Sequence, residues 1–599
     1  MNVLLSIVYI LSYVLSLIVI VSFPKSSSPL RALTWVPVAF FLLLSYDGLV
    51  AGVCTLLGVP VNLVSQLAGH VLLIGVGLSL IRRHGGTQRL LFTRGDAVTL
   101  AVILVIAAVV TLFEFGPDFT PHYIVTDAIN HLRQSLYILY RGTVTNMYQA
   151  WNFIATALGV SSAFVRFDLY YKVYCLCDVL FWVLGCLLFY GVTCSVLRSS
   201  HRELIAGVFS VLYFLGYPLT GIVWGFCYLG VGVSFAVLSI YFCAQASSSR
   251  RYTLFGLGLS LYGLVTSYAL FAPFVFLVAF VSLLRAGLRR DRHVSARTLV
   301  TLALVLALPG LLGSWFFYDG ILSSGEVTVA SALDNEGGMY RNLYSNLVLY
   351  APLIIVAIWV EVKRRTIVSR PETLALVILA LSVVLMLVPT YFGALSTYYL
   401  GKMQFAIWPF ALMSAAKGAQ SALRLPGRVV LGAYASVFAF LFAMTMGRFD
   451  QGLREAYQPI DPGVTSAYHP YLDVYRWNLE SILSSAGINP DVWELCHRAS
   501  DLVDNGEEVP VLAAYMYGGW YCDVTSQLDE VRQIRVDRDC PEEAVEKVLE
   551  GPYSYVTVIP IPYADHGDEG AAEASGLVLA QDGVEVVYEN DAGYIARLP

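Results

Sequence analysis

Charged residues are scarce in this sequence. Asp, Glu, Lys and Arg together make up 13% of its 599 residues, whereas a soluble domain holds about 25%. The chain is also 57% hydrophobic, and its mean hydropathy is +0.67. These values exclude a soluble globular protein and indicate a chain embedded in a membrane.

Several motifs of soluble enzymes are absent as well. The sequence contains no Walker-type phosphate loop, no dinucleotide fingerprint, no G-x-S-x-G and no Cys/His set with zinc spacing. It also shows no internal repeat, a feature that many secondary transporters carry. A nucleotide-dependent function would therefore have to work without the usual phosphate loop.

Long apolar runs dominate the first 446 residues. A helix needs about 20 apolar residues to cross about 30 Å of hydrocarbon, and the chain contains about fourteen such runs. The sequence therefore predicts an α-helical polytopic membrane protein with about 14 transmembrane helices. The predicted spans are residues 3–22, 33–56, 60–81, 97–113, 170–197, 203–218, 221–246, 253–267, 269–287, 298–317, 346–361, 372–391, 403–416 and 428–446.

The charged residues are unevenly distributed. Of the 37 basic and 43 acidic residues, eight and 28 lie in residues 450–599, so this tail is strongly acidic. When the loops are assigned alternately to two sides, 22 of the 29 earlier basic residues fall on one side. The positive-inside rule makes that side cytoplasmic. The tail is then predicted outside, together with the loops at 114–169, 318–345 and 392–402.

The tail has the pattern of a small α/β domain. EVPVLAAYM, VRQIRV and YSYVTVIPI indicate strands, CPEEAVEKVLEG indicates a helix, and GVEVVYENDAGYIARLP indicates a hairpin. YADHGDEGAAEASG reads as a polar loop. Trp477, Trp493 and Trp520 could stack on sugar rings or form the domain core, and the core is the favoured interpretation.

One outside segment gathers ionisable residues where a helix leaves the bilayer. Residues 113–142 contain Glu114, Asp118, Asp127, His131 and Arg133. Within it, residues 128–140 have the spacing of an amphipathic helix on the membrane surface, on which Asp127 and His131 share a face. A partly desolvated carboxylate there suits general-base catalysis on a hydroxyl. The alternative is that Asp127 only caps the helix.

The whole arrangement resembles the GT-C superfamily of integral membrane glycosyltransferases. The resemblance lies in an outside loop with acidic residues, an interfacial helix that reads D-x-x-x-H, many further helices and an exported α/β domain. It implies a polyprenyl-phosphate sugar donor and an essential loop carboxylate. It also implies three parts: N-terminal helices at 1–96, a transmembrane core at 97–449 and an extracytoplasmic domain at 450–599. In this chain the acidic loop follows the fourth helix rather than the first.

The resemblance also implies roles for individual residues. Asp127 looks like the family's loop aspartate, with Asp118 and Glu114 as rivals, and would deprotonate the acceptor hydroxyl. The donor phosphate would then need a cation and hydrogen-bond donors at headgroup depth. The candidates are Lys402, Arg341, Tyr398, Tyr399, His131 and Arg133. No protein metal site is assigned, although Mg²⁺ or Mn²⁺ could be held by Asp118 or Asp127 with Asp334 or Glu336.

The expected function is an inverting glycosyltransferase of the plasma membrane. Its partners would be a polyprenyl-phosphate sugar, a glycan, lipid or protein acceptor and membrane lipids, and the acidic tail argues against nucleic acid. Two alternatives stay open. A lipid-linked glycan polymerase or ligase would rely on outside Arg and His residues such as Arg141 and Arg166. A secondary transporter would rely on acids deep in the bundle, such as Asp178.

Overall fold

The protein folds as a helical membrane bundle followed by a small mixed domain. The computed structural model describes residues 2–22, 30–84, 88–120, 127–145, 148–245, 251–291, 294–322, 347, 349–392, 395, 397–423, 473–484, 489–525, 533–535, 541–561 and 569–599, with four single positions between 427 and 436. The helices and strands below lie within these residues.

Ten of the described helices are long and apolar enough to cross a membrane, which confirms a polytopic α-helical membrane protein. They are Val3–Ser22, Ala32–Leu56, Leu63–Arg83, Arg94–Phe115, Phe167–Val196, Arg202–Val223, Cys227–Gln245, Ala269–Arg289, Ala296–Phe316 and Pro371–Tyr391. Three further predicted spans correspond to the helices Arg251–Ser267, Ala351–Lys363 and Thr397–Ala422. The predicted span at 428–446 lies outside the continuously described residues.

The helices are numbered in chain order. The bundle consists of α1 (Asn2–Ser22), α2 (Ala32–Leu56), α3 (Leu63–His84), α4 (Arg94–Phe115), α5 (Asp127–Arg141), α6 (Tyr148–Ser161), α7 (Tyr170–Val196), α8 (Arg202–Leu215), α9 (Tyr217–Val223), α10 (Cys227–Gln245), α11 (Arg251–Ser267), α12 (Ala272–Asp291), α13 (Ala296–Leu302), α14 (Leu308–Leu322), α15 (Ala351–Lys363), α16 (Pro371–Tyr391) and α17 (Thr397–Ala422). A π-helical turn at Ala303–Ala307 joins α13 to α14.

Two ion clusters tie helix ends together at one end of the bundle. Arg31, just before α2, bonds Asp96 at 2.6 Å and also pairs with Glu203, so it links the starts of α4 and α8. Lys417 near the end of α17 pairs with Glu361 and, at 3.0 Å, with Glu372. The sequence assigns all of these helix ends to the cytoplasmic side.

Residues 473–599 add five helices and a five-stranded sheet. The helices are α18 (Asp473–Ser484), α19 (Pro490–Asp504), α20 (Tyr515–Val524), α21 (Pro541–Leu549) and α22 (Glu569–Leu579). The strands of the sheet are, in spatial order, Gln533–Arg535, Val511–Ala513, Tyr555–Ile559, Gly593–Arg597 and Glu585–Asn590. The first three strands are parallel and the last two form the predicted hairpin.

The sequence interpretation of this part agrees with the structure for the strands and for α21, and differs in two segments. The whole of YMYGGWY lies in α20, so the predicted strand EVPVLAAYM ends before it, and the second half of the predicted polar loop begins α22. Helix α22 is rich in Ala, the best helix former. Trp493 and Trp520 are 3% and 1% exposed, so both belong to the core. The side chain of Trp477 lies outside the described residues.

Helix α18 fills a break in the bundle. The helical segment made of α8 and α9 is interrupted at Gly216, between the two helices. This interruption frees backbone carbonyls inside the bundle. Asn478 donates its side-chain amide to Leu215 O at 2.8 Å and to Gly216 O at 2.9 Å, and it accepts from Thr220 Oγ1 at 2.9 Å. Buried backbone groups need such partners, so α18 is an integral part of the bundle.

Candidate functional site

Helix α5 carries the candidate base and is covered by protein on both sides. It begins at Asp127 and has a strong amphipathic pattern, as the sequence predicts. One face packs on α6 within the bundle, and Ala128 contacts Gly225. The other face meets α20, where Arg133 Nε donates to Asp523 Oδ1 at 3.1 Å and Gly519 packs against Ile129. The expected surface helix is therefore enclosed between the bundle and the C-terminal domain. Its polar residues have a protein partner, which periodicity alone cannot reveal.

Lys402 lies fully buried in a cage of aromatic rings. It is in the second turn of α17, and its side chain is 0% exposed. Its Nζ lies 3.4 Å from the ring centre of Phe226, 4.8 Å from that of Tyr398 and 5.6 Å from that of Tyr228. Nζ also donates to the Tyr228 hydroxyl at 3.4 Å. Aromatic faces attract a desolvated cation, so the cage holds the ammonium without neutralising it.

No carboxylate neutralises this lysine at contact distance. Within the described ranges, no Asp or Glu oxygen lies within 4.0 Å of Lys402 Nζ, whereas Lys417 on the same helix pairs with two glutamates. Asp127 is the acidic residue that acts on Lys402 electrostatically. A buried cation is strongly disfavoured unless an anion compensates it. Among the described residues, Asp127 is therefore the carboxylate near Lys402, and it lies beyond contact distance of Nζ.

Asp127 is the acidic residue that stands beside this cation. Burial raises the pKa of Asp127, and the charge of Lys402 opposes that rise. In the part of the chain that the structure describes, its carboxylate accepts no hydrogen bond. A carboxylate that is partly desolvated and not committed to a donor is a stronger base than one in water.

His131 lies one turn after Asp127 and faces the same cluster. Trp151 Nε1 donates to His131 Nδ1 at 3.2 Å, and the Tyr228 ring packs edge-on to the imidazole at 4.5 Å. Burial, together with the charge of Lys402, lowers the pKa of His131 to about 3. The imidazole is therefore neutral at neutral pH. Nε2 is buried and has no partner among the described residues.

The structure brings together four of the residues singled out in the sequence. Asp127, His131, Lys402 and Tyr398 belong to one cluster, although Lys402 is 275 residues from Asp127 in sequence. Tyr399 stacks edge-on against Tyr398 at 5.3 Å, at the border of the cluster. Sequence reasoning missed Phe226, Tyr228 and Trp151, because isolated aromatic residues in apolar helices carry no distinguishing signal.

The other candidates lie elsewhere. Asp118 is exposed beyond the end of α4. Glu114 is buried beside Asp178, with both oxygens unpartnered in the described residues. Arg133 belongs to the contact with the C-terminal domain through Asp523. Arg341 lies outside the described residues. In the structure, Asp127 therefore lies apart from Asp118 and Glu114, and Arg133 lies apart from the cluster around Lys402.

The residues described around Asp127 offer few ligands for a metal ion. In the described part of the chain, no three His, Cys, Asp or Glu side chains converge as metal ligands would. Asp334 and Glu336, the expected second ligands, lie outside it. Lys402 beside Asp127 also disfavours a second cation at the same place.

Gly225 sets the position of Asp127. It has a φ of +68°, and a Cβ on it would lie 2.6 Å from Ala128 Cβ. We expect Gly225→Ala to push the start of α5 away from Lys402 and to lower turnover about 10²-fold, the cost of a misplacement near 1 Å. Gly230→Ala is the matched control, because a Cβ there meets nothing within 4 Å. Equal activities of the two variants in the transfer assay described below would contradict this assignment.

Comparison with known proteins supplies no family for this chain: no protein-family model matches it, and no curated protein matches it.

Proposed function

We propose that the protein is an inverting glycosyltransferase that moves a sugar from a polyprenyl-phosphate donor to a glycan, lipid or protein acceptor at the extracytoplasmic face of the plasma membrane. One observation carries the proposal. Among the described residues, a buried lysine has no carboxylate within contact distance, and the nearby carboxylate of Asp127 accepts no hydrogen bond. The first suits an anionic leaving group, and the second suits a hydroxyl that must lose its proton.

Lys402 would hold the donor phosphate. The bond that breaks joins the anomeric carbon to a phosphate oxygen, and its electron pair stays on the phosphate, which leaves as a monoester. A preorganised cation in a site without water stabilises the charge that develops there. Lys402 is buried, and its Nζ lies against the rings of Phe226 and Tyr398, so its charge is desolvated as such a site requires.

Asp127 would act as the general base. As the acceptor hydroxyl attacks the anomeric carbon, its proton passes to the carboxylate. Attack from the side opposite the phosphate inverts the anomeric configuration. Asp127 suits this role because its raised pKa increases its basicity, while the charge of Lys402 favours the ionised carboxylate.

The proposed topology is consistent with these roles of Asp127 and Lys402. Fourteen spans, with the acidic domain outside, place both Asp127 and Lys402 at the outer end of the bundle, where the donor headgroup would lie. The domain contacts α5 directly through Arg133 and Asp523, and Arg166 Nη2 donates to Asp501 at 2.9 Å. Both arginines therefore have acidic partners. A polymerase or ligase that relies on outside arginines has less support than the transferase.

One observation favours a transporter as a second candidate. Asp47, His70 and Ser12 form a buried chain on the first three helices, with 3.1 Å between Asp47 Oδ1 and His70 Nε2 and 2.9 Å between His70 Nδ1 and Ser12 Oγ. Ionisable residues inside a membrane often mark proton or ion pathways. The transporter would require solute accumulation in vesicles, which a transferase does not produce.

Activity should fall on the acid side of neutrality. The base works only when deprotonated. Because the pKa of Asp127 is raised, Asp127 becomes protonated at a higher pH than an ordinary Asp, whose pKa is about 3.9. Below the Asp127 pKa, kcat/KM should fall about tenfold per pH unit. His131 stays neutral through this range. A pH–rate profile that is flat down to about pH 4 would contradict the assignment.

The proposal is tested with purified protein and a panel of polyprenyl-phosphate sugars that carry a radiolabel in the sugar. We expect transfer to an acceptor from at least one donor. If no donor is turned over and the protein accumulates solute in vesicles, the transporter takes its place.

A further inference from the structure

We infer that Trp151 is a positioning residue: its indole N–H fixes the tautomer of His131, so that His131 Nε2–H donates a hydrogen bond to the leaving phosphate. The inference rests on the proposed function for the identity of the acceptor. The assignment of the tautomer rests on geometry alone.

The hydrogen bond between the two rings has only one direction. An indole nitrogen can donate but cannot accept, so Trp151 Nε1–H donates to His131 Nδ1, which must carry a lone pair. Trp151 is 7% exposed and held on α6, and its ring stacks near the imidazole with the centres 5.7 Å apart. A buried neutral imidazole has one proton, and with Nδ1 unprotonated that proton is on Nε2.

Burial and the charge of Lys402 keep the imidazole neutral. The groups that face it are Lys402 on α17, Tyr228 on α10, which packs on the ring, and Asp127, which lies one turn earlier on α5. None of them bonds to Nε2 in the described residues, where this nitrogen is buried without a partner. A buried N–H without an acceptor is costly, so the site favours a ligand that supplies one.

An anion would pair with Lys402 and accept a hydrogen bond from His131 Nε2–H. Tyr228 contacts both residues, because its hydroxyl accepts from Lys402 Nζ at 3.4 Å and its ring centre lies 4.5 Å from that of His131. As the bond from the anomeric carbon to the phosphate oxygen breaks, that oxygen gains the electron pair and becomes a better acceptor. The Nε2 proton stays on the histidine, and the proton of the acceptor hydroxyl goes to Asp127. The opposite tautomer would point a lone pair at the phosphate and repel it.

The tautomer of His131 can be measured without an activity assay. We would record ¹⁵N spectra of the full-length protein with ring-labelled histidine, and assign His131 by its loss in His131→Gln. The wild type should show a protonated Nε2 and an unprotonated Nδ1. Trp151→Phe should lose this bias and show a mixture of the two tautomers. Trp182→Phe is the matched control, because it also removes a buried indole bond, from Nε1 to Phe214 O at 3.1 Å, on α7.

Kinetic measurements then test whether His131 acts on the leaving phosphate. Trp151→Phe should lower kcat about 10- to 100-fold with little change in KM, as expected for loss of one transition-state donor. His131→Gln keeps a side-chain N–H and should retain more kcat than His131→Leu, while Trp182→Phe should keep the wild-type value.

Each outcome has a distinct meaning. A wild-type His131 that is protonated on Nδ1 or on both nitrogens overturns the tautomer, and this holds even if Trp151→Phe does not fold. A correct tautomer with an unchanged kcat in Trp151→Phe overturns the role on the phosphate. If the wild type has the expected tautomer but transfers no sugar, the proposed function is wrong, and so is the role of His131 on the phosphate. The assignment of the His131 tautomer to the Trp151 hydrogen bond then still holds.

Discussion

Asp127→Asn should abolish sugar transfer. The amide has nearly the same shape as the carboxylate but cannot accept the acceptor's proton, so kcat should fall about 10²- to 10⁴-fold, the usual contribution of a general base. KM for the donor should change little, because the donor phosphate is held elsewhere, by Lys402. The measurement is transfer of radiolabelled sugar under saturating donor by protein of matched purity.

Asp118→Asn is the control for this variant. Asp118 lies in the same loop nine residues earlier, but it is exposed and outside the cluster. Its replacement should leave turnover within about twofold of wild type, as for an exposed side chain with no role. If Asp118→Asn or Glu114→Gln lost transfer and Asp127→Asn kept it, the base would be one of the rivals and the cluster would need another explanation.

Lys402→Met should also eliminate transfer, without weakening the fold. Methionine fills the cage and keeps the packing, but it cannot stabilise the leaving phosphate. The loss of one electrostatic group from a closed site costs about 10²- to 10³-fold in kcat. In the absence of donor, the variant should be about as heat-stable as wild type, because a buried charge is removed that has no carboxylate within contact distance among the described residues.

Lys417→Met on the same helix should behave in the opposite way. It leaves Glu361 and Glu372 buried without their cation, and breaking such a pair costs about 3–5 kcal/mol. We expect a lower unfolding temperature for Lys417→Met, with the chemistry intact in the protein that stays folded. Thermal unfolding and transfer measured on both variants separate the two roles. A large loss of stability in Lys402→Met would mean that this lysine is structural.

The sequence was sufficient to predict the membrane class, most of the helices and the hairpin of the C-terminal domain. These features depend on patterns within single segments, namely apolar runs of about twenty residues and strict alternation in short strands. It also predicted that Asp127 and His131 share a face, since residues four apart on a helix always do.

The site itself depends on contacts between distant segments. Lys402 and Asp127 were chosen for separate reasons, and only the packing of α17 and α10 around α5 shows that they meet. The cage residues Phe226 and Tyr228 follow Gly225, whose left-handed backbone turns the chain into α10. The sequence likewise gives no sign that Arg133 would be paired with Asp523, because the two are 390 residues apart.

The most direct test of the account is the anomeric configuration of the product. A polyprenyl-phosphate sugar of known configuration is turned over by the purified wild-type protein, and the new glycosidic linkage is examined by NMR. A single displacement with Asp127 as base predicts an inverted linkage. A retained configuration, or no product from any donor of the panel, would contradict it.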